Sequence, residues 1–302
     1  MAEDKDLVHI LKLLDDESPK VRSRVWEKLE ANLPAWEAGI RARLDEVPSV
    51  PRRKLLDLLS GRARKGFRAS WLRWRGMATD MDKLEAALSG LSWYLAEGKD
   101  EWNGREDEPP RHPALGPLLD SLAMEFRQWG GPLSPTSLAL FLFTDKGLKG
   151  AENDYYNPCN SDLVQVIEKG QGIPISLACV YMLVGHRLGF AICGCDVPEH
   201  FLTRAVEDGH EVIIDCFDGG KALEQEKLAQ LERKYAPEFS RLIKSTAQPE
   251  AIVARVLRNL INAYHLAGNR QASQFMWSLA EDLRGEREGD LEIRENPSTG
   301  EP

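Results

Sequence analysis

The stretch from Gly172 to Phe217 constrains the fold of this chain more than any other. It opens with an almost unbroken apolar run, Ile173 to Gly185, which begins I-P-I-S-L-A-C-V and stops at His186-Arg187. Such a run is too short to span a bilayer, which takes about 20 residues. Pro174 favours the first turn of a helix, where its missing N–H is no loss, so the run predicts a helix starting there. Two further segments, A-I-C-G-C-D-V-P-E-H-F-L-T-R-A and E-V-I-I-D-C-F-D-G-G, predict strands, with Asp208-Gly209 as the hairpin turn between them.

A helix followed by two strands is a layout that acyl-transfer chemistry uses. A thiol works best as a nucleophile at a helix N-terminus, where free backbone N–H groups and the macrodipole favour the thiolate. A histidine on the next strand supplies the base, and a carboxylate on a neighbouring strand orients the imidazole. His200 and Asp215 suit these two roles.

Gly172, Ala178, Leu188 and Gly189 resemble the transglutaminase-like core, whose helix opens Gly-x-Cys-x-x-x-Ala and ends in a Leu-Gly pair. Counted from either end, the cysteine position falls on Pro174. Four ordered motifs resemble the SirB-type branch of that superfamily: Tyr155 to Ser161, Gly172 to Leu177, Pro198 to Leu202, and Asp215 to Gly220. The resemblance implies an α+β, papain-like core with a small antiparallel sheet, and an active site from which the nucleophile is missing. Glu199 stands where the family usually has glycine and would place a charge beside the site.

Ser176 is the nearest alternative nucleophile, but two positions along a helix turn a side chain by roughly 200°. Cys179 lies inside the apolar run and reads as a small core residue. Cys193, Cys195 and Cys216 lack the paired short spacings of a zinc site, so neither metal nor cofactor is expected. His200 and Asp215 have a second reading as a structural pair that locks two strands together. The expected function is therefore a catalytically impaired module that binds protein or peptide. The alternative is a hydrolase or acyltransferase that uses Ser176 or a displaced cysteine with His200 and Asp215.

The flanks predict helices. Residues 1–78 have the cadence of HEAT-like hairpins, with Ser18 capping a helix at Pro19 and a second unit built from Trp36–Leu44 and Pro51–Leu59. Residues 79–245 would hold the transglutaminase-like domain, including helices from Asp80 to Trp102 and from Leu115 to Trp129 around a loop at 103–113. Residues 246–285 resemble a tetratricopeptide-like hairpin turning at Gly268-Asn269, and the polar tail 286–302 reads as disordered. No signal peptide is legible at M-A-E-D-K-D, and five irregularly spaced cysteines fit a reducing cytoplasm.

Charge is uneven. Residues 51–75 carry nine basic side chains against Asp57, a net +8, while the whole chain is −9, leaving −17 elsewhere. Internal pairing of this segment with acidic surface is the expected outcome, and nucleic acid is the weaker candidate partner.

Overall fold

The computed structural model describes residues 2–98, 111–198 and 200–285. These fall into two compact units, residues 2–67 with 96–98 and residues 68–95 with 111–285. Glu199, most of the loop expected at 103–113, and the tail expected at 286–302 lie outside the described residues.

The first unit is helical. α1 (Ala2–Lys12) packs against α2 (Pro19–Arg41), and α3 begins at Ser49 and runs to Ser70. Val25, Leu29, Leu33, Trp36 and Ile40 recur at helical spacing and bury one face of α2 against Leu7, Ile10, Leu11 and Leu14, with Leu55 and Leu59 from α3. Two local expectations change. Ser18 occupies the N-cap position without a side-chain cap bond; its own N–H instead donates to Asp16 Oδ1 at 2.8 Å. The helix expected to begin at Trp36 is the C-terminal end of α2, which passes through Pro34 without a break.

In the second unit, a 3₁₀ turn at Trp71–Gly76 buries Trp71 and Trp74, whose rings meet edge-on at 6.4 Å. α4 (Asp80–Trp93) starts with a reciprocal capping box, in which Asp82 N–H donates to Thr79 Oγ1 at 3.1 Å and Thr79 N–H donates to Asp82 Oδ2 at 3.3 Å. The helical register continues through a π turn at Tyr94–Gly98. α5 (Leu115–Gln128) and α6 (Pro135–Leu140) follow. Strands β1 (Lys149–Gly150) and β2 (Gln171–Gly172) then form a two-residue parallel ladder around α7 (Leu163–Lys169).

α8 (Pro174–Arg187) is the axis of the unit. Every residue from Pro174 to Gly185 is buried, as expected of a helix apolar on all sides. Beside it lies a four-stranded antiparallel sheet in the order β3 (Ile192–Asp196), β4 (Phe201–Glu207), β5 (His210–Asp215) and β6 (Lys221–Ala222). The β4–β5 hairpin turns at Asp208 and Gly209, with φ of 51° and 79°.

Register assigns the two faces of the sheet. Pairings Ile192↔Ala205 and Gly194↔Thr203 put these residues on one side, where Ile192 meets Gly185 and Gly194 meets Met182 of α8. Pairings Cys195↔Leu202 and Arg204↔Ile213 define the other side. There Cys195, Leu202 and Ile213 pack against Leu231 and Tyr235 of α9 (Gln225–Tyr235) and Phe239 of α10 (Phe239–Lys244). α11 (Pro249–Leu266) and α12 (Arg270–Gly285) close the unit as a hairpin through Gly268.

Candidate functional site

Pro174 is the first residue of α8 and is buried, with Ile173 and Ile175 buried on either side. The preceding Gly172 is needed for close packing, because a Cβ there would stand 2.8 Å from Ser176 Oγ. Ser176 itself is 0% exposed. Its hydroxyl donates to the Asn160 carbonyl at 2.6 Å and accepts from the Ile173 N–H at 3.0 Å. Those bonds tie the start of α8 to the 3₁₀ turn at Pro158–Ser161 and satisfy one of the helix's first N–H donors. Ser176 thus faces Asn160, and no bond to His200 forms among the described residues.

His200 immediately precedes β4 and is partly exposed. Its ring lies 6.4 Å from that of Tyr235 at 72°. Strand alternation places His200 with Leu202, on the side of the sheet that faces α9 and α10 rather than α8. Asp215 ends β5, and Oδ1 accepts the N–H groups of Phe217 and Asp218 at 3.0 and 3.2 Å. Gly220 N–H closes the same turn on the Asp215 carbonyl at 2.9 Å. Among the described residues His200 and Asp215 share no hydrogen bond, so they are neighbours in topology without forming a relay.

The thiols divide by depth. Cys179 and Cys216 are fully buried, and burial raises both thiols far above the ordinary cysteine range. Cys195 is pushed up to about 11, mainly by burial, and donates to the Ile243 carbonyl at 3.2 Å. Cys193 pairs with Arg204 while Cys195 pairs with Leu202, so the two cysteines share one sheet face. Only Cys159 and Cys193 are partly exposed. Among the described residues no group of three His, Cys, Asp or Glu side chains is placed to hold a metal ion.

Sequence reasoning singled out Tyr155, Tyr156 and Phe217 only as motif members, whereas the structure gathers them into a surface. Phe217 lies over Gly150, where a Cβ would come within 2.6 Å of the ring. Tyr155 packs edge-on to Phe217 at 6.2 Å and to Tyr156 at 5.2 Å, and Tyr156 is 56% exposed. Burial raises the Tyr155 phenol, and the nearby Arg255 guanidinium pulls it back. Arg255 sits 5.5 Å over the Phe201 ring, donates to the Val197 carbonyl at 2.9 Å and pairs with Asp196. A separate cavity of about 650 Å³ is lined by Glu85, His112, Asp120, His186 and Arg187 and includes none of the sequence-derived site residues.

Residues 118–258 match the model of the Transglutaminase-like superfamily. That transglutaminase-like domain accounts for the helix-and-sheet core and for the loop carrying Tyr155 and Tyr156. A UPF0162 protein of Xylella fastidiosa is 37% identical over 152 residues, covering 48% of this chain and 53% of the relative. A UPF0162 protein of Pseudomonas aeruginosa is 27% identical over 181 residues, covering 57% and 66%. Human F-box only protein 21 is 31% identical over 110 residues, covering 36% of this chain and 17% of that protein. The chain spans about half the length of the first two UPF0162 relatives it matches, both from Xylella fastidiosa. No solved structure matches it. No described helix is long and apolar enough to cross a membrane.

Proposed function

We propose that the transglutaminase-like domain is a catalytically impaired, SirB-type module that binds a protein or peptide segment. The carrying observation is that Pro174, at the nucleophile position, is buried at the first turn of α8. Proline offers no nucleophile and removes a backbone donor where an oxyanion would be stabilised. The geometry of Ser176, His200 and Asp215 supports the same reading, since each is engaged with a different neighbour. The ligand surface is the aromatic group of Tyr155, Tyr156 and Phe217, in which Tyr156 is exposed and the other two rings are partly buried beside it. The similarity to F-box only protein 21 fits this role, because the shared region forms a minor part of that larger chain.

On this reading the helices of residues 1–78 are HEAT-like and those of 246–285 tetratricopeptide-like, both serving as interaction surfaces around a domain at 79–245 in a cytoplasmic protein. The test is to pan a random peptide library on the full chain and measure the retained peptides against Tyr156→Ala and Phe217→Ala. Retention that both variants weaken supports the proposal. Turnover of peptide amides or esters that is abolished by His200→Ala would overturn it.

A further inference from the structure

The cavity of about 650 Å³ beside α4 is used neither by Ser176, His200 and Asp215 nor by the Tyr155–Tyr156–Phe217 surface. One wall is a single face of α4, where Asp82, Glu85, Ala86 and Ser89 recur at i, i+3, i+4 and i+7. The start of α5 forms the facing wall: Gly116 stands opposite Glu85, and a Cβ there would lie 3.9 Å from Glu85 Oε1. His186 and Arg187, in the last turn of α8, complete the lining. Depth follows the α4 face, from exposed Asp82 at the rim to buried Ala86 and Ser89 at the floor.

Most polar groups here are satisfied within the protein. Arg187 holds both oxygens of Glu85 and one of Asp120, and Ser89 Oγ accepts the His112 N–H at 2.8 Å. Two charged groups near Met77 keep spare capacity. The one hydrogen bond of the Arg111 side chain among the described residues runs from Nη2 to Met77 Sδ at 3.3 Å, and a thioether is a weak acceptor. Asp82 Oδ2 accepts the N–H of Thr79, two residues beyond Met77, while Oδ1 accepts no hydrogen bond among the described residues. Arg111 and Asp82 form no ion pair with each other among the described residues, so an acid and a guanidinium stand unmatched at one end of the cavity. His112 Nδ1 accepts the Ala114 N–H at 3.1 Å, so Nε2 carries a donor proton.

A small ligand bearing both charges matches this pair. Its carboxylate meets the guanidinium fork with two parallel N–H···O bonds, and its ammonium meets Asp82 Oδ1. Met77, Ala86, Pro113 and Pro117 add apolar surface to the lining. We infer that this cavity binds a free α-amino acid with an apolar side chain, its carboxylate on Arg111 and its ammonium on Asp82. A phosphate or a polyamine fits less well. The described lining sets three carboxylates against two guanidiniums, so an ion of either single sign meets like charge.

The test is calorimetric titration of L-leucine, L-methionine and L-phenylalanine into the full chain, beside their methyl esters and N-acetyl forms, which each lack one of the two charges. At least one free amino acid should bind saturably, and its blocked forms should bind about tenfold or more weakly, the scale of hydrogen bonds to charged groups. Arg111→Gln should weaken the free amino acid by a similar factor without weakening the methyl ester. Asp82→Asn keeps an acceptor for the Thr79 N–H; it should weaken the free amino acid without weakening the N-acetyl form. A merely structural role for either residue would not sort with the blocked group in this way. Tyr156→Ala should change none of these affinities, which separates this site from the peptide surface. Should either cavity variant unfold, the wild-type comparison of free and blocked forms decides alone. No binding of the three amino acids, blocked forms that bind as well as free ones, or tighter binding of inorganic phosphate or spermidine would overturn the inference.

Discussion

The Ser176 hydroxyl donates to the Asn160 carbonyl at 2.6 Å inside a fully buried site. This bond joins two of the sequence motifs, Tyr155 to Ser161 and Gly172 to Leu177, and it gives Ser176 a structural role at the start of α8. Ser176→Ala leaves the Asn160 carbonyl and Ile173 N–H without that partner, so the expected cost is about 1–3 kcal/mol. Urea unfolding of the variant would show it as a lower midpoint at unchanged slope. A midpoint equal to wild type would mean the bond is dispensable.

Asp162 predicts a pH dependence. It is 2% exposed and caps α7 by accepting the Val164 N–H at 3.0 Å. Burial raises its pKa, against the pull of the backbone donors and of His112. The folded carboxyl therefore holds its proton more tightly than the unfolded one. Its contribution is fully present below the unfolded pKa of about 4 and is lost as pH rises through the folded value. Asp162→Asn keeps a good cap and lacks this titration. Relative to the variant, wild type should lose stability as pH climbs from about 4 toward neutrality. Parallel stability curves across that window would contradict the assignment.

Arg187 holds the wall of the 650 Å³ cavity together. It donates to Glu85 through two bonds of 2.8 Å and to Asp120 through one of 2.6 Å. With Asp120 largely exposed, solvent screens that bond, and most of the effect rests on the bidentate pair. Arg187→Ala should destabilise the second unit by about 1–3 kcal/mol. Thermal melting would detect it, and an unchanged Tm would place the pair among the neutral surface contacts.

The basic segment at 51–75 has partners on the same chain. Arg62 lies 3.4 Å from Glu37, Arg68 binds both oxygens of Asp282 at 2.5 Å, and Lys54 stands 4.0 Å over the Trp26 ring. Retention on DNA or RNA should be negligible even at low salt, and charge reversal at Arg62 and Arg68 should lower Tm. Retention that falls steeply with salt and vanishes when Arg62, Arg64, Lys65 and Arg68 become alanine would show phosphate binding.

Much of the core was legible in the sequence for local reasons. Pro174 announces the start of α8, the apolar run its burial, and Asp208-Gly209 the β4–β5 hairpin. β1 and β2 were missed because two-residue strands leave no periodic signal, and α9 because most of its residues are charged or polar. Continuity of α2 through Pro34 defied the usual breaker reading. At the site, His200 and Asp215 were visible as residues but their surroundings were not. Which face a strand residue takes depends on register, and a slip of one position reverses it. The partner of Ser176 lies sixteen residues away in the chain, beyond any local pattern.

The claim that the nucleophile position is closed is tested most directly by labelling the native full chain with a thiol-directed electrophilic peptide and mapping the modified cysteines. Cys179, Cys195 and Cys216 should be protected, and the partly exposed Cys159 and Cys193 should react no faster than in the denatured chain. One cysteine that labels faster in the native protein, and loses that advantage in His200→Ala, would contradict the account and establish an active thiol.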